Sequence, residues 1–164
     1  MNRNENNTLD DILSAAKAEF SEKGFQSASL RRIVKNAGVT TGAFYSYFKS
    51  KEELFDALVG EQYDMLMGMV CETQNAFTRL SPKEQVQQMD ELSGEGMKKM
   101  MDYCYANKDE FKLILCSSDG TIYENIIHDM SEIEVDATHK FAKTMEQLVY
   151  PKYNFDETLE HILT

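Results

Sequence analysis

The segment Ser27–Lys51 constrains the fold of this chain more than any other part of its sequence, because it joins two short helical patterns through a glycine. The first pattern opens on Ser29, a good N-cap residue. Apolar residues then recur at helical spacing, at Leu30, Ile33, Val34 and Ala37. This spacing predicts a short amphipathic helix over residues 29–36. Gly38 follows the last apolar position and can adopt the left-handed conformation that ends a helix.

A second short helix is predicted directly after this turn, with Thr40 or Thr41 as its N-cap and its end near Tyr47. Phe44 and Phe48 are four residues apart and share the face that turns toward the core. The opposite face is rich in hydroxyl groups and carries no acidic residue. It comprises Thr40, Thr41, Gly42, Tyr45, Ser46 and Tyr47. Such a face is typical of a helix that contacts phosphates and base edges.

The charge of this segment differs from that of the whole chain. The protein carries a formal net charge of −11, yet the segment from Gly24 to Lys51 has no Asp or Glu. Its basic residues are Arg31, Arg32, Lys35, Lys49 and Lys51. A solvated basic face would explain these charges, but their position beside a helix-turn-helix pattern favours contact with DNA phosphates, where each neutralised phosphate releases a counterion.

Residues 9–61 resemble the DNA-binding domain of the TetR family of bacterial transcriptional regulators. The resemblance lies in three strings: ILSAAKAEFSEKGF, SLRRIVKNAGV and GVTTGAFYSYFKSKEELFDAL. The third is the most specific, because it combines the glycine and valine of the turn, a YxYF motif and the KSKEEL start of the next helix. The resemblance implies an all-α protein with an N-terminal three-helix helix-turn-helix DNA-binding domain and a C-terminal helical ligand-binding and dimerisation domain.

The resemblance also implies which residues meet double-stranded DNA. The second helix is expected to enter the major groove with Thr40, Thr41, Gly42, Tyr45, Ser46 and Tyr47. Lys49 and Lys51 are expected to contact phosphates, and Ser29 and Arg31 the neighbouring backbone or an edge base. Because Thr40, Thr41 and Ala43 are short and Gly42 offers only its backbone, we expect recognition to depend on Arg31, thymine methyl groups and DNA shape.

The rest of the chain also favours an all-α fold, with few prolines, few glycines and repeated helix-start signals. We place the DNA-binding domain at residues 1–50 and a helical effector-binding and dimerisation domain at 51–164. Residues 1–60 hold eight basic and eight acidic residues, so the whole net charge lies in residues 61–164. This asymmetry separates an end that faces DNA from an end that does not.

Start and stop signals predict the remaining helices. The first helix is expected from Leu9 or Asp10 to Lys23, with Thr8 as its N-cap and Gly24 ending it. The later helices are expected to begin at a Ser50/Glu53 capping box, at Ser81–Glu84, at Asn107, at Thr121 and at residues 154–157. Ends are expected near Phe77 for the helix that follows Ser50, near Cys116 and at Pro151, with a kink or break at Gly94 and Gly96.

The C-terminal region is rich in methionine and holds nine of the ten methionines of the chain. Methionine and aromatic side chains can line a pocket for a flat apolar or amphipathic effector, but they also fill ordinary cores. The resemblance implies that a cavity exists in this region. Our candidates for its lining are Met67, Phe77, Met97, Met100, Met101, Cys104, Phe111 and Tyr123.

Other function classes receive little support. His128 and Glu132, with Asp136 and His139 nearby, have a spacing that can hold a metal, but a di-metal bundle site needs matching motifs on other helices, and the third histidine is His161. A solvated acidic face is therefore expected, with no metal site. The sequence contains no phosphate loop, dinucleotide fingerprint or activated nucleophile motif, so we expect neither an enzyme nor a bound cofactor.

The three cysteines, Cys71, Cys104 and Cys116, have no CxxC spacing, which favours free thiols. No run of about 18 apolar residues is present and the polar N-terminus does not resemble a signal peptide, so we expect a cytoplasmic protein without membrane association. The family usually ends with two long helices that pair in the dimer. Only the beginning of such a further helix follows Pro151 here. Either the chain is incomplete, which we favour, or the dimer is formed differently, by the helix from Thr121 to Tyr150 and the segment from Phe155 to Leu163.

These observations lead to one hypothesis and one alternative. The hypothesis is a homodimeric repressor that binds a palindromic operator and is released by an unknown small-molecule effector, since two heads one helical turn apart read a palindrome. The long helix after Ser50 would transmit the change from the C-terminal domain to the head. The alternative is a helical ligand-binding or protein-interaction module that does not bind DNA specifically.

Overall fold

The structure, a computed structural model, describes residues 3–148, and it describes side chains between residues 7 and 146. Within the described range the chain forms seven α-helices and no strand, which confirms the predicted all-α fold. They are α1 (Arg3–Ser27), α2 (Leu30–Asn36), α3 (Thr41–Tyr47), α4 (Lys51–Thr78), α5 (Pro82–Ala106), α6 (Lys108–Ser117) and α7 (Ile126–Leu148). The predicted stop at Pro151, the predicted helix start at 154–157 and His161 lie outside the described residues.

The contacts divide the chain into two compact units. Unit 1 holds the described residues up to Met65 together with Cys104–Ile126, and unit 2 holds Leu66–Tyr103 together with the described residues from Ile127 onward. Helix α4 contributes its first half to unit 1 and its second half to unit 2. The functional division at residue 50 stays a prediction.

Unit 1 is built on an aromatic core. The rings of Phe20, Phe25 and Phe55 pack against one another with centroids 5.1 to 5.9 Å apart. These residues come from α1 and α4, and Phe20 and Phe55 are fully buried. Helix α6 packs on α1 and buries Phe111, and Lys17 of α1 forms ion pairs with the start of α6. The core therefore fixes the N-terminal helices against α4 and α6.

Unit 2 consists of the second half of α4, most of α5 and α7. Its buried residues include Val70 from α4, Met100 from α5 and Met145 from α7. Gly96 of α5 faces Thr73 of α4, where an added Cβ would lie 2.7 Å from a side-chain carbon of Thr73. Helix α5 runs through both of its glycines without interruption, so the break that was one expectation at Gly94 and Gly96 does not occur. Gly96 instead permits close packing of the two helices.

Two helix starts differ from the sequence predictions. Helix α1 begins at Arg3, not at Leu9 or Asp10, although the chain leaves helical geometry at Gly24 as predicted (φ 71°). Helix α7 begins at Ile126, not at Thr121. Gly120 has a φ of 85°, and the carboxylate of Glu124 accepts a hydrogen bond from its N–H at 2.7 Å. The predicted cap residues thus fold a turn that precedes the helix.

Candidate nucleic-acid interface

Helix α2 is held at its N-terminus by a buried carboxylate from α1. Glu19 is 3% exposed, and its side chain accepts a hydrogen bond from the backbone N–H of Ser29 at 3.1 Å. The same carboxylate lies 3.1 Å from the guanidinium of Arg32. Ser29 is the N-cap residue as predicted, but its side chain makes no capping hydrogen bond. The incoming carboxylate thus satisfies a donor at the start of the helix and favours it electrostatically.

The turn between α2 and α3 is a Schellman motif. Gly38 has a φ of 68°, and its N–H donates to the carbonyl of Lys35 at 3.2 Å. The N–H of Val39 donates to the carbonyl of Val34 at the same distance. These two hydrogen bonds satisfy carbonyls at the end of α2 and require a residue that tolerates positive φ. The predicted role of Gly38 is confirmed.

Helix α3 is fixed by a cap and by two buried rings. Thr40 is the N-cap, and its hydroxyl oxygen accepts a hydrogen bond from the N–H of Ala43 at 3.1 Å. Phe44 and Phe48 are 1% and 6% exposed, and their ring centroids lie 5.9 Å apart. Burying these rings on one face turns the opposite face of α3 outward.

The residues predicted to meet DNA lie mostly at the surface. Those that are exposed are Arg31, Thr40, Thr41, Gly42, Tyr45, Ser46 and Lys49, and those that are half-buried are Ser29, Tyr47 and Lys51. Tyr45 is 54% exposed, which is high for a large aromatic residue. The structure therefore brings the hydroxyl-rich face of α3 together as one exposed surface, which we call the α3 face and define as Thr40, Thr41, Gly42, Tyr45 and Ser46.

Lys51 already has hydrogen-bond acceptors for its ammonium within unit 1. Its ammonium donates to the carbonyls of Phe25, Gln26 and Ala28 at 2.7, 3.1 and 3.4 Å. It also lies 4.5 Å from the centroid of the Phe25 ring. An ammonium has three hydrogens, and three carbonyls surround this one. Lys51 therefore joins the start of α4 to the end of α1, while a role in phosphate binding stays a prediction.

The basic residues of the segment divide into two groups. Arg31, Lys35 and Lys49 are exposed. Arg32 is exposed as well, but it pairs with Glu19 and also with Glu22 at 3.4 Å. Glu19 is not among the residues predicted from the sequence to act here. Its position was nevertheless informative, since it lies three residues after Ala16 and one before Phe20, on the buried side of α1. A carboxylate on an apolar stripe signals a specific partner.

Unit 2 contains a separate cavity of about 560 Å³ between α4, α5 and α7. Its lining residues are Thr73, Gln74, Phe77, Val86, Met89, Leu92, Ser93, Glu134, Ala137, Thr138, Phe141, Ala142 and Met145. Of the eight residues predicted to line a pocket, the structure brings only Phe77 to this cavity.

The other seven predicted pocket residues lie elsewhere. Phe111 and Tyr123 are buried in unit 1, Met97 and Met101 are more than half exposed, Met100 is buried, and Met67 and Cys104 are half-buried. The lining contributed by α7 was missed, although the regular apolar stripe of that helix was visible in the sequence. Periodicity shows that a face is buried, but not whether it meets a core or a cavity.

Neither a metal site nor a membrane span is found in the part of the chain that the structure describes. The Nε2 atom of His128 and a carboxylate oxygen of Glu132 lie 3.7 Å apart on the surface of α7. Among the described residues, no three His, Cys, Asp or Glu side chains are close enough together to hold a metal ion. None of the helices between residues 3 and 148 combines the length and the apolar character needed to cross a bilayer.

Comparisons with known proteins agree with this geometry. Residues 12–58 match the family model described as bacterial regulatory proteins, tetR family. The chain is 50% identical over 48 residues to an uncharacterised HTH-type transcriptional regulator, YdgC, of Bacillus subtilis, a match that covers 29% of this chain and 25% of the relative. It is 46% identical over 48 residues to the HTH-type transcriptional regulator UidR of Escherichia coli K12, covering 29% of this chain and 24% of the relative.

A longer match, 34% identical over 79 residues, is to the HTH-type transcriptional repressor KstR2 of Mycobacterium tuberculosis and covers 46% of this chain and 40% of the relative. The matched part spans about a quarter of the length of the first two relatives. A crystal structure of a transcriptional regulator (TerR/AcrR family) from Aquifex aeolicus VF5 is 28% identical, with a TM-score of 0.42, and the alignment covers 88% of this chain and 75% of that one.

Proposed function

We propose, from the premise that residues 12–58 form a helix-turn-helix domain of the tetR family of bacterial regulatory proteins, that this protein is a transcriptional regulator that binds DNA. In this proposal it is a homodimeric repressor in the cytoplasm. It occupies a palindromic operator and leaves it when a small molecule binds in unit 2. The α3 face is the surface that reads DNA, and the residues beside it contact phosphates.

The observation that carries this proposal is the composition of the exposed surface of unit 1. The α3 face has no acidic residue, and it is flanked in sequence by Arg31 on α2 and Lys49 before α4, both of which are exposed. The chain as a whole has a net charge of −11. An uncharged, hydroxyl-bearing surface with cations at its border suits the sugar-phosphate backbone and the base edges of the major groove, whereas most of the remaining chain would be repelled by DNA.

The side chains of the α3 face suggest how the sequence would be read. Thr40 and Thr41 can present methyl groups to thymine, and their hydroxyls can bond to either a base or a phosphate. Tyr45 is the longest side chain on this face and is 54% exposed, so it can reach a phosphate or a base edge. Arg31 can form two hydrogen bonds with a guanine. Since few long polar side chains are available, the shape and deformability of the operator would add to specificity.

The short length of α3 favours a dimer. Helix α3 has seven residues, and one such helix covers too few base pairs to define an operator. Two copies related by a two-fold axis would contact half-sites about one helical turn apart, so the operator would be a palindrome. Binding of an effector in unit 2 would favour a conformation in which the two α3 faces no longer match that spacing.

The decisive experiment is selection of DNA fragments by the purified protein, followed by sequencing. We expect a palindromic consensus, with affinity that falls as salt rises. Arg31→Ala should weaken DNA binding. It should also make the negative slope of log K against log salt shallower by about 0.9 for each phosphate that the variant no longer neutralises. Arg79→Ala is the matched control, because Arg79 is an exposed arginine of unit 2, and it should change neither quantity. Selection of no consensus, with retardation equal for all fragments, would favour a module without specific DNA binding.

A further inference from the structure

We infer that the cavity of unit 2 takes a lipophilic ligand that carries a protonated amine. This inference rests on the proposed function only in treating the cavity as the effector site. The walls of the cavity, the hydrogen bonds of its polar groups and its charge support it.

The walls can enclose a sizeable apolar body. The volume of about 560 Å³ falls within the range of roughly 300–1,000 Å³ that is typical of ligand pockets. All three helices contribute apolar side chains, among them Phe77 from α4, Leu92 from α5 and Met145 from α7. The rings of Phe77 and Phe141 lie 5.4 Å apart with an interplanar angle of 60°. Aromatic faces in this wall can stack on a ligand ring and attract a cation.

The two threonines of the wall already use their hydroxyl hydrogens. The hydroxyl of Thr73 donates to the carbonyl of Met69 at 2.9 Å, and the hydroxyl of Thr138 donates to the carbonyl of Glu134 at 2.8 Å. A hydroxyl has one hydrogen, so each of these oxygens can offer only lone pairs to a ligand. Gln74 and Ser93 add groups that can donate as well as accept. The polar part of the lining therefore has more acceptors than donors, which favours a ligand with N–H groups.

The charge of the cavity lining also favours a cationic ligand. Glu134 is the one charged residue among the described residues that line the cavity, and the lining includes no Lys, Arg or His. A ligand carboxylate or phosphate would face this carboxylate and the threonine lone pairs without a cation to balance its charge, which is costly in a partly apolar site. An ammonium would find a carboxylate, acceptor oxygens and aromatic faces. Because Glu134 is exposed, its attraction acts at the edge of the cavity while the apolar body fills the interior.

Binding of three pyrene compounds to the full chain in the absence of DNA tests this inference. 1-Pyrenemethylamine is protonated at pH 7, 1-pyrenemethanol is neutral and 1-pyrenecarboxylate is anionic, while their apolar bodies are the same. Equilibrium dialysis with detection of pyrene fluorescence gives the three dissociation constants. We expect the ammonium to bind about tenfold more tightly than the alcohol and the carboxylate to bind most weakly. Equal binding of ammonium and carboxylate, or no binding of any compound to the folded protein, would overturn the inference.

Two matched variants test whether Glu134 causes the preference for the ammonium. Glu134→Gln should remove most of the preference for the ammonium over the alcohol, since the charge is lost while the size of the side chain is kept. Glu132→Gln is the control, because Glu132 lies on the same helix, its side chain is 72% exposed and it does not line the cavity. A preference that survives in Glu134→Gln would sink the assignment. DNA binding by the unliganded protein is measured separately, so a failure there would count against the proposed function and leave the ligand class standing.

Discussion

The phenol of Tyr123 donates a hydrogen bond to the carboxylate of Asp56, which joins two residues 67 positions apart within unit 1. Tyr123 is 4% exposed, and its ring packs against Phe55 and Tyr63 with centroids 6.1 and 5.0 Å away. Burial, together with the hydrogen bond to Asp56, raises the pKa of the Tyr123 phenol well above its usual value of 10.0. This contact ties the turn that precedes α7 to the first turns of α4.

Replacing Tyr123 by Phe should lower the free energy of unfolding by about 1–2 kcal/mol, since it removes a hydrogen bond to a charged acceptor. It should also weaken the destabilisation at alkaline pH. The pKa of this phenol is higher in the folded than in the unfolded protein. Its contribution to the free energy of unfolding is therefore complete below about pH 10 and is lost as the pH rises toward the folded-state pKa. Lys17, whose pKa is also raised, mainly by its hydrogen bond to Glu110, should maintain part of the alkaline sensitivity.

Thermal unfolding at pH values from 8 to about 11 measures both effects of this substitution. The control is Tyr105→Phe, because Tyr105 is 80% exposed. It should leave stability and its pH dependence unchanged. If both variants show the same pH dependence as the parent protein, Tyr123 does not contribute to alkaline sensitivity.

Gly60 makes room for the contact between Tyr123 and Asp56. A Cβ at this position would lie 2.9 Å from a carboxylate oxygen of Asp56 and 3.2 Å from the phenol oxygen of Tyr123. Within a helix, glycine to alanine normally stabilises by about 0.8–1 kcal/mol. We expect Gly60→Ala to lose this gain, whereas Gly68→Ala, on the same helix with no atom within 4 Å of its added Cβ, should show it.

Urea unfolding of the two alanine variants, alone and combined with Tyr123→Phe, measures this difference. In the Phe background the phenol oxygen is absent, so the cost of Gly60→Ala should fall by several tenths of a kcal/mol while the effect of Gly68→Ala stays constant. Equal gains at both glycines in the parent protein would show that the structure adapts to the added methyl group without cost.

The helix-turn-helix could be predicted from sequence because its signals are local. The cap at Thr40, the glycine at position 38 and the paired Phe44 and Phe48 act within a few residues of one another, and the structure places all of them as expected. Of the two hydrogen bonds of the predicted capping box at Ser50 and Glu53, the structure shows one as expected. The hydroxyl of Ser50 accepts from the N–H of Glu53 at 3.1 Å, but the carboxylate of Glu53 accepts from the N–H of Lys49.

What could not be predicted depends on contacts between distant residues. The acceptors of Lys51 come from the end of α1, about 25 positions earlier, so a basic residue beside a DNA-binding motif could not be separated from a structural one. The lining of the cavity in unit 2 could not be predicted for a similar reason. Methionine occurs in cores, on surfaces and in cavities, and only packing decides which, as the exposed Met101, the buried Met100 and the cavity-lining Met89 illustrate.

Lys49 and Lys51 should behave differently when each is replaced by Met. Lys51→Met removes three hydrogen bonds to carbonyls at the end of α1 and should lower the free energy of unfolding by about 1–3 kcal/mol. Lys49 is exposed, so Lys49→Met should have little effect on stability. On the selected operator, Lys49→Met should reduce the salt slope by about 0.9. For Lys51→Met the three carbonyl partners lead us to expect, against the prediction from sequence, that the slope stays unchanged.

Unfolding by urea and DNA binding at several salt concentrations separate the two lysines, and each serves as the control for the other. A reduced salt slope in Lys51→Met at a temperature where this variant is fully folded would mean that Lys51 leaves its carbonyl partners to contact phosphate.

Glu19 and Glu22 both lie near Arg32 but should differ in their contribution to stability. The Glu19 side chain is 2% exposed and also accepts from the N–H of Ser29, whereas the Glu22 side chain is 57% exposed.

Glu19→Gln keeps an oxygen for the Ser29 N–H but loses the charge opposite Arg32, so we expect the free energy of unfolding to fall by about 1–2 kcal/mol. Glu19→Ala leaves the start of α2 without this acceptor and should cost about 1 kcal/mol more. Glu22→Gln should cost much less than either substitution of Glu19, as is usual for an exposed ion pair. Urea unfolding ranks the three variants, and equal losses in Glu19→Gln and Glu19→Ala would mean that the ion pair with Arg32, and not the hydrogen bond to Ser29, accounts for the contribution of Glu19.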